Sequence, residues 1–244
     1  MSQVILITGA SQGIGLAVSE AFAEAGWQVV MAARNAENIA AHSTRLGALG
    51  VPTDVADPTS VDGLYAQIAK EHGRLDAVFN NAGMGTPPMD PGELTFEEWR
   101  QVCSVNLDGA FNIASHAFRM MKEQTPQGGR IINNGSISAH TPRPGSVAYT
   151  TTKHAITGLT KSIALDGRLY NIRASQIDIG NAESPMTARM KEGVPQANGT
   201  LAIEPVMDVR LVAQAVLNMA SQPLEATTLF QTIMAADMPF VGRG

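Results

Sequence analysis

Short apolar runs recur along the chain, and between them apolar residues return every third or fourth position. The short runs predict buried strands at Val4–Thr8, 27–33, 49–54, 75–79, 129–134, 171–179 and 228–234. After the first, Leu16, Ala17, Ala21, Phe22 and Ala25 mark the buried stripe of a helix, with Gly26 as its stop. Val61, Leu64, Ile68 and Ala69 mark another, opened by Asp57-Pro58. A weak helix covers 36–46, 209–219 is helical, and long helices are predicted over 95–122 and 149–169. Strand and helix therefore alternate. That pattern predicts an α/β fold, a parallel sheet of about seven strands with helices on both faces.

Two segments break the alternation. Residues 84–93 are rich in proline and read as an irregular surface loop. Residues 181–205 hold several helix breakers and no strong period, which suggests a substrate loop or lid. No linker, repeat or low-complexity stretch divides the chain, so 1–244 is read as a single domain.

Composition narrows the function classes. A net charge of −5 leaves no basic stripe for nucleic acid or an anionic membrane. Cys103 is the one cysteine, so no intramolecular disulfide and no cysteine-based metal site is expected. No apolar run has the length of a membrane span, and the first residues lead straight into a strand. A cytoplasmic protein with no metal, nucleic-acid or membrane partner is the expectation.

Candidate chemistry gathers at the ends of the predicted strands. The turn Gly9-Ala10-Ser11-Gln12-Gly13-Ile14-Gly15 joins the first strand to the first helix. Glycines let the backbone turn sharply and approach a phosphate, and the free N–H groups of the helix start attract its charge. The same glycines would also let a helix pack closely on a strand. After the second strand stands Arg34, with no acidic residue at that strand end. An acid there suits NAD, whereas an arginine accommodates the 2′-phosphate of NADP. NADP(H) is favoured on that ground, with NAD(H) as the alternative. Asp54, Asn81 with Gly83, Ser136 and Gly180 follow four further strands. Ligands of such sheets bind beyond the carboxyl ends of the strands, and chance would scatter these residues over both ends. Tyr149 and Lys153, four residues apart on a predicted helix, share one face. An ammonium there favours the phenolate, which brings proton exchange by the phenol nearer neutral pH.

Taken together, Thr8-Gly9-x-x-x-Gly13-Ile14-Gly15, Asp54, Asn80-Asn81-Ala82-Gly83, Asn106, Ser136 and Tyr149-x-x-x-Lys153 resemble the short-chain dehydrogenase/reductase family. Ser136 stands thirteen residues before Tyr149, the usual family interval. The likeness covers nearly the whole chain and implies a Rossmann-type doubly wound sheet. It implies a hydride transfer between a nicotinamide cofactor and a carbonyl or secondary alcohol. Tyr149 would be the general acid or base, and Ser136 would hydrogen-bond the substrate oxygen. Lys153 would hold the nicotinamide ribose and lower the Tyr149 pKa, and Asn106 would anchor a water in the proton relay. Asp54 and Val55 would contact adenine, and Asn81, Ala82 and Gly83 would line the middle of the cofactor. A homotetramer, built from the two long helices and a twin pair, is also implied.

The chain departs from the family pattern at Asp178-Ile179-Gly180-Asn181-Ala182-Glu183-Ser184. Gly180 is kept, the usual proline before it is absent, and Ser184 offers the hydroxyl that a threonine usually supplies. Gln12 stands where NADP-type members often carry a basic residue. The competing reading is a dinucleotide-binding sensor or scaffold without turnover, which commonly lacks the tyrosine or the lysine. A halohydrin-type lyase is disfavoured by Gly9, Gly13, Gly15 and Lys153. Substrate choice is assigned to 86–91, 140–146 and 181–205, where Arg143, Glu183, Arg189 and Lys191 are the nearby charges. A mostly apolar pocket with one or two cations hints at a medium-sized or anionic carbonyl compound.

Overall fold

The computed structural model describes residues 2–241, apart from the Lys191 side chain. The Lys191 charge and the end of the tail, 242–244, therefore lie outside the described residues. The chain runs β1 (Val4–Thr8), α1 (Gly13–Glu24), β2 (Gln28–Ala33), α2 (Ala36–Leu46), β3 (Leu49–Pro52), α3 (Pro58–His72) and β4 (Ala77–Asn80). It continues through α4 (Phe96–Cys103), α5 (Ala110–Glu123), β5 (Gly129–Asn134), α6 (Val147–Asp166) and β6 (Ile172–Gly180). The short strands β7 (Val194–Pro195) and β8 (Leu201–Ala202), then α7 (Val209–Ala220) and β9 (Phe230–Met234), complete it.

Seven strands form one sheet in the order β3-β2-β1-β4-β5-β6-β9, and every neighbouring pair is parallel. This is the doubly wound arrangement expected, and the strand order reverses beside β1 and β4. Successive strand residues point to opposite faces, so the apolar runs feed two cores. Ile5, Ile7, Met31 and Phe79 pack with Val18, Phe22, Val212 and Val216 of α1 and α7. Leu6, Val30, Val78 and Ile131 pack with Val61, Leu64, Ile113 and Ile163 of α3, α5 and α6 on the other face. Each fully buried side chain of this kind contributes about 1.5–3 kcal/mol relative to exposure.

Several boundaries differ from the sequence pattern by one to three residues, and one helix is interrupted. β4 starts at Ala77 rather than 75, and β9 at Phe230 rather than 228. Helix α6 starts at Val147, so Tyr149 sits inside its first turn. The predicted helix 95–122 is one rod interrupted by a π-helical segment, Ser104–Gly109, which contains Asn106. Its start is fixed by a capping box between Thr95 and Glu98. The aperiodic stretch 181–205 is ordered into a 3₁₀ segment, Pro185–Lys191, and the antiparallel pair β7–β8. Strands this short leave no period to read. No helix among the described residues is long and apolar enough to cross a membrane.

Candidate active site

The glycine turn lies at the carboxyl end of β1, beside the reversal of strand order. Gly9 and Gly13 both have positive φ, 65° and 54°. A side chain at Gly15 would run into the Gly9 carbonyl oxygen, so the turn closes only around glycine. Helices α2, α3, α4 and α7 each have a side chain capping the N-terminus: Asn35, Asp57, Thr95 and Asp208. Helix α1 has no such cap and no acid in its first turn. Its first N–H groups are left facing a cleft of about 450 Å³, which fits an anionic ligand.

That cleft gathers most of the predicted cofactor residues. Ser11, Gln12 and Ile14 line it with the three glycines. Asp54 and Val55 border it beyond β3, and Asn81, Ala82 and Gly83 beyond β4. Tyr149, Lys153 and Ser184 close its far end. Arg34 is exposed at the rim, with no acidic residue at that end of β2 and no ion pair among the described residues. Gly180 is the predicted cofactor residue that lies outside this cleft; it lines a second one instead. Asp54 also has a local duty, since its Oδ1 accepts from the Ala56 N–H at 3.0 Å.

The asparagines after β4 act as ties. Thr8 Oγ1 accepts from the N–H groups of Asn81 and Ala82, both at 2.9 Å. Asn81 Nδ2 donates to the Thr8 carbonyl at 2.8 Å, and its Oδ1 accepts from Asn134 Nδ2 at 2.8 Å. Asn80 Nδ2 donates to the Ala110 carbonyl at 2.8 Å. The ends of β1, β4 and β5 are thus held together where the cleft needs a fixed wall.

Tyr149 and Lys153 do share a face of α6. The ammonium lies 5.5 Å from the centre of the phenol ring and donates to the Asn134 carbonyl at 2.7 Å. Burial pulls Lys153 down to about 8, while the negative charge of Asp178 works against that pull. Burial pushes the Tyr149 phenol up; a hydrogen bond with Ser136 and the cations Arg189 and Arg143 oppose it, and Asp178 adds to it. The groups that work against burial at the phenol are thus Ser136 and two arginines.

Ser136 is buried and forms the N-cap of a short 3₁₀ turn, its Oγ accepting from the Ser138 N–H at 3.1 Å. Its side chain lines the second cleft, of about 300 Å³, and Tyr149 is a wall of both clefts. Asn106 touches neither. Its Oδ1 accepts from the Met84 N–H, and its Nδ2 donates to the Met84 carbonyl, both at 2.8 Å. It also donates to Thr152 Oγ1 at 3.2 Å. The side chain clamps the loop after β4 against α6, inside a helical turn that the π geometry widens.

The second cleft is built from the segments assigned to substrate choice. Thr86 and Pro88 form one side, Arg143 to Ser146 another, and Met186, Arg189, Met190 and Val194 the third. Arg143 joins two of these segments: its Nη2 donates to Asn181 Oδ1 at 2.8 Å and pairs with Glu204 Oε2 at 2.6 Å. At Gly13 an added Cβ would meet Ser184 Cβ at 3.2 Å, so the 3₁₀ segment leans across the glycine turn.

Sequence reasoning missed Asp178. It is 1% exposed in β6, and Oδ1 accepts from the Ser136 N–H at 2.9 Å. The available signal was a pair of polar residues, Gln176 and Asp178, two apart in an apolar strand and so on one face. Among the described residues no group of three or more His, Cys, Asp or Glu side chains is placed to hold a metal.

Comparison with known proteins agrees with this geometry. Residues 3–195 match the family described as short chain dehydrogenase. A 3beta-hydroxysteroid dehydrogenase of Mediterraneibacter gnavus is 33% identical over 192 residues, 77% of this chain and 68% of that protein. The L-fucose dehydrogenase of Bos taurus is 30% identical over 200 residues, 82% of this chain and 73% of that protein. In three dimensions the fold matches a 3-ketoacyl-(acyl-carrier-protein) reductase from Brucella melitensis complexed with NADH. That match has a TM-score of 0.85 at 25% identity and covers 95% of this chain and 96% of the other. With a dinucleotide-type cleft at the switch point of a parallel sheet, and with that match over residues 3–195, the chain belongs to the short-chain dehydrogenase/reductase family of oxidoreductases.

Proposed function

We propose that this protein transfers a hydride between NADP(H) and a carbonyl or secondary alcohol, with Tyr149 as the general acid or base. The observation that carries this reading is that Tyr149 lines both clefts, one suited to a dinucleotide and one to a small organic substrate. The nicotinamide would supply or accept the hydride. Ser136 would hold the substrate oxygen beside the phenol, where charge develops during the transfer. Tyr149 would give that oxygen its proton in reduction and take it in oxidation. Lys153, anchored by the Asn134 carbonyl, would hold the ribose. Asn106 would keep the loop after β4 and helix α6 in register around the proton path.

NADP(H) is favoured because Arg34 stands free at the cleft rim and no acid ends β2. A guanidinium hydrogen-bonded to a phosphate contributes about 1.5–3 kcal/mol. Replacing Arg34 by Ala is therefore expected to weaken NADPH binding about tenfold to a hundredfold and to leave NADH nearly unchanged. The test is oxidation of NADPH and NADH, side by side, over a broad panel of ketones and aldehydes. Turnover with NADPH supports the reading, and turnover with NADH alone overturns the cofactor assignment. Cofactor binding with no turnover across the panel would favour the sensor or scaffold reading.

A homotetramer is part of the proposal. Phe111 on α5 and Leu165 on α6 are more than half exposed, which suits a face covered by a twin pair of helices. Light scattering at micromolar concentration is expected to give four times the mass of the 25.7 kDa chain, and a stable monomer would refute it.

A further inference from the structure

We infer that Asp178 is a positioning residue for the reacting groups: its buried carboxylate fixes the Ser136 backbone and sets a negative charge against the Tyr149–Lys153 pair. The inference rests on the function proposed above. Asp178 Oδ1 accepts from the Ser136 N–H at 2.9 Å and from Gln176 Nε2 at 2.8 Å. Its Oδ2 lies 2.8 Å from His140 Nε2, and no lysine or arginine pairs with it among the described residues. A side chain at Gly135 would overlap Oδ1, so the Gly135–Ser136 backbone wraps directly over the carboxylate.

A charge in this place calls for a reason. Burying a carboxylate with no lysine or arginine beside it is costly, and a neutral Asn would accept the same two N–H bonds. What the charge adds is a field. Asp178 favours the protonated forms of both Tyr149 and Lys153. The other charged groups around the phenol are Arg143, on the loop before α6, and Arg189, on the turn after β6. Of these, Arg143 is already paired with Glu204. The His140 side chain is 48% exposed, so the contact with Asp178 Oδ2 lies between the buried carboxylate and solvent.

The experiment is a ¹³Cε-lysine NMR titration of the full chain, with the Lys153 signal assigned by Lys153→Arg, so it needs no substrate. The parent midpoint is expected at about 8. In Asp178→Asn it is expected to fall by about one pH unit, the effect of removing one nearby opposite charge. The pH profile of kcat/KM should move down with Asp178→Asn as well. If Asp178→Asn does not fold, Asp178→Ser, which is smaller and still accepts a hydrogen bond, is measured instead. An unmoved midpoint, or loss of fold in both variants, overturns the inference and leaves Asp178 a structural residue. A moved midpoint in a protein with no turnover would separate failure of the proposed reaction from failure of this inference.

Discussion

Tyr149→Phe is expected to lower turnover by about a thousandfold or more while leaving dinucleotide affinity within about twofold. The substitution removes one hydroxyl and keeps the ring. That ring lies beside Lys153, 5.5 Å from its ammonium, and at the junction of the two clefts, so the walls of both are preserved. The dinucleotide would still meet the uncapped start of α1, the Gly9–Gly15 turn and the asparagine ties after β4. Only the proton donor at that place is lost. The check is steady-state kcat beside a fluorescence titration of NADPH. A variant keeping more than about a tenth of parental turnover would remove Tyr149 from the role of general acid or base. A variant that also loses cofactor binding would show that the hydroxyl is structural. The phenol is held above its ordinary value by burial. Loss of activity should therefore appear at every pH below that value rather than on one limb only.

Much of this arrangement was legible in the residues because it rests on period and on glycine. Ile5 and Ile7 serve one core and Leu6 the other, and such two-sided burial leaves the unbroken apolar runs that mark parallel strands. Gly9 and Gly13 stand at positive φ, which strains a side chain, and at Gly15 a close backbone approach leaves no room for one. Asn106 was noticeable as a polar residue in the middle of a helix, and the structure gives it a π-helical turn and a clamp on Met84. Other parts carried no local signal. Asp178 is recognisable only through Ser136 and His140, thirty-eight and more residues away in the chain. The tie between Arg143 and Glu204 spans two segments without regular period. The effect of Lys153 on Tyr149 was read from spacing alone, which fixes a shared face but not a burial. Burial is what pulls the lysine down to about 8 and pushes the phenol up.

Gly15→Ala is the second substitution with a large expected effect, and it tests the cleft rather than the chemistry. The added methyl would overlap the Gly9 carbonyl oxygen and come within 2.8 Å of both the Gly9 carbonyl carbon and Asn81 Nδ2. None of these can step aside cheaply. Gly9 is held at φ 65°, and Asn81 Nδ2 is tied to the Thr8 carbonyl at 2.8 Å. The turn must open, which moves the free N–H groups at the start of α1 away from the place where a phosphate would bind. Dinucleotide affinity is expected to fall about a hundredfold or more, about 2.7 kcal/mol. Overpacking should also cost about 1–3 kcal/mol of stability. Gly63→Ala is the matched control. Gly63 is exposed in α3 with nothing within 4 Å of an added Cβ. There the same methyl should stabilise the fold by about 0.5–1 kcal/mol and leave binding unchanged. Calorimetric titration with NADPH, paired with denaturant melts of both variants, separates the two effects. Parental affinity in a folded Gly15→Ala protein would mean that the turn does not cradle the dinucleotide.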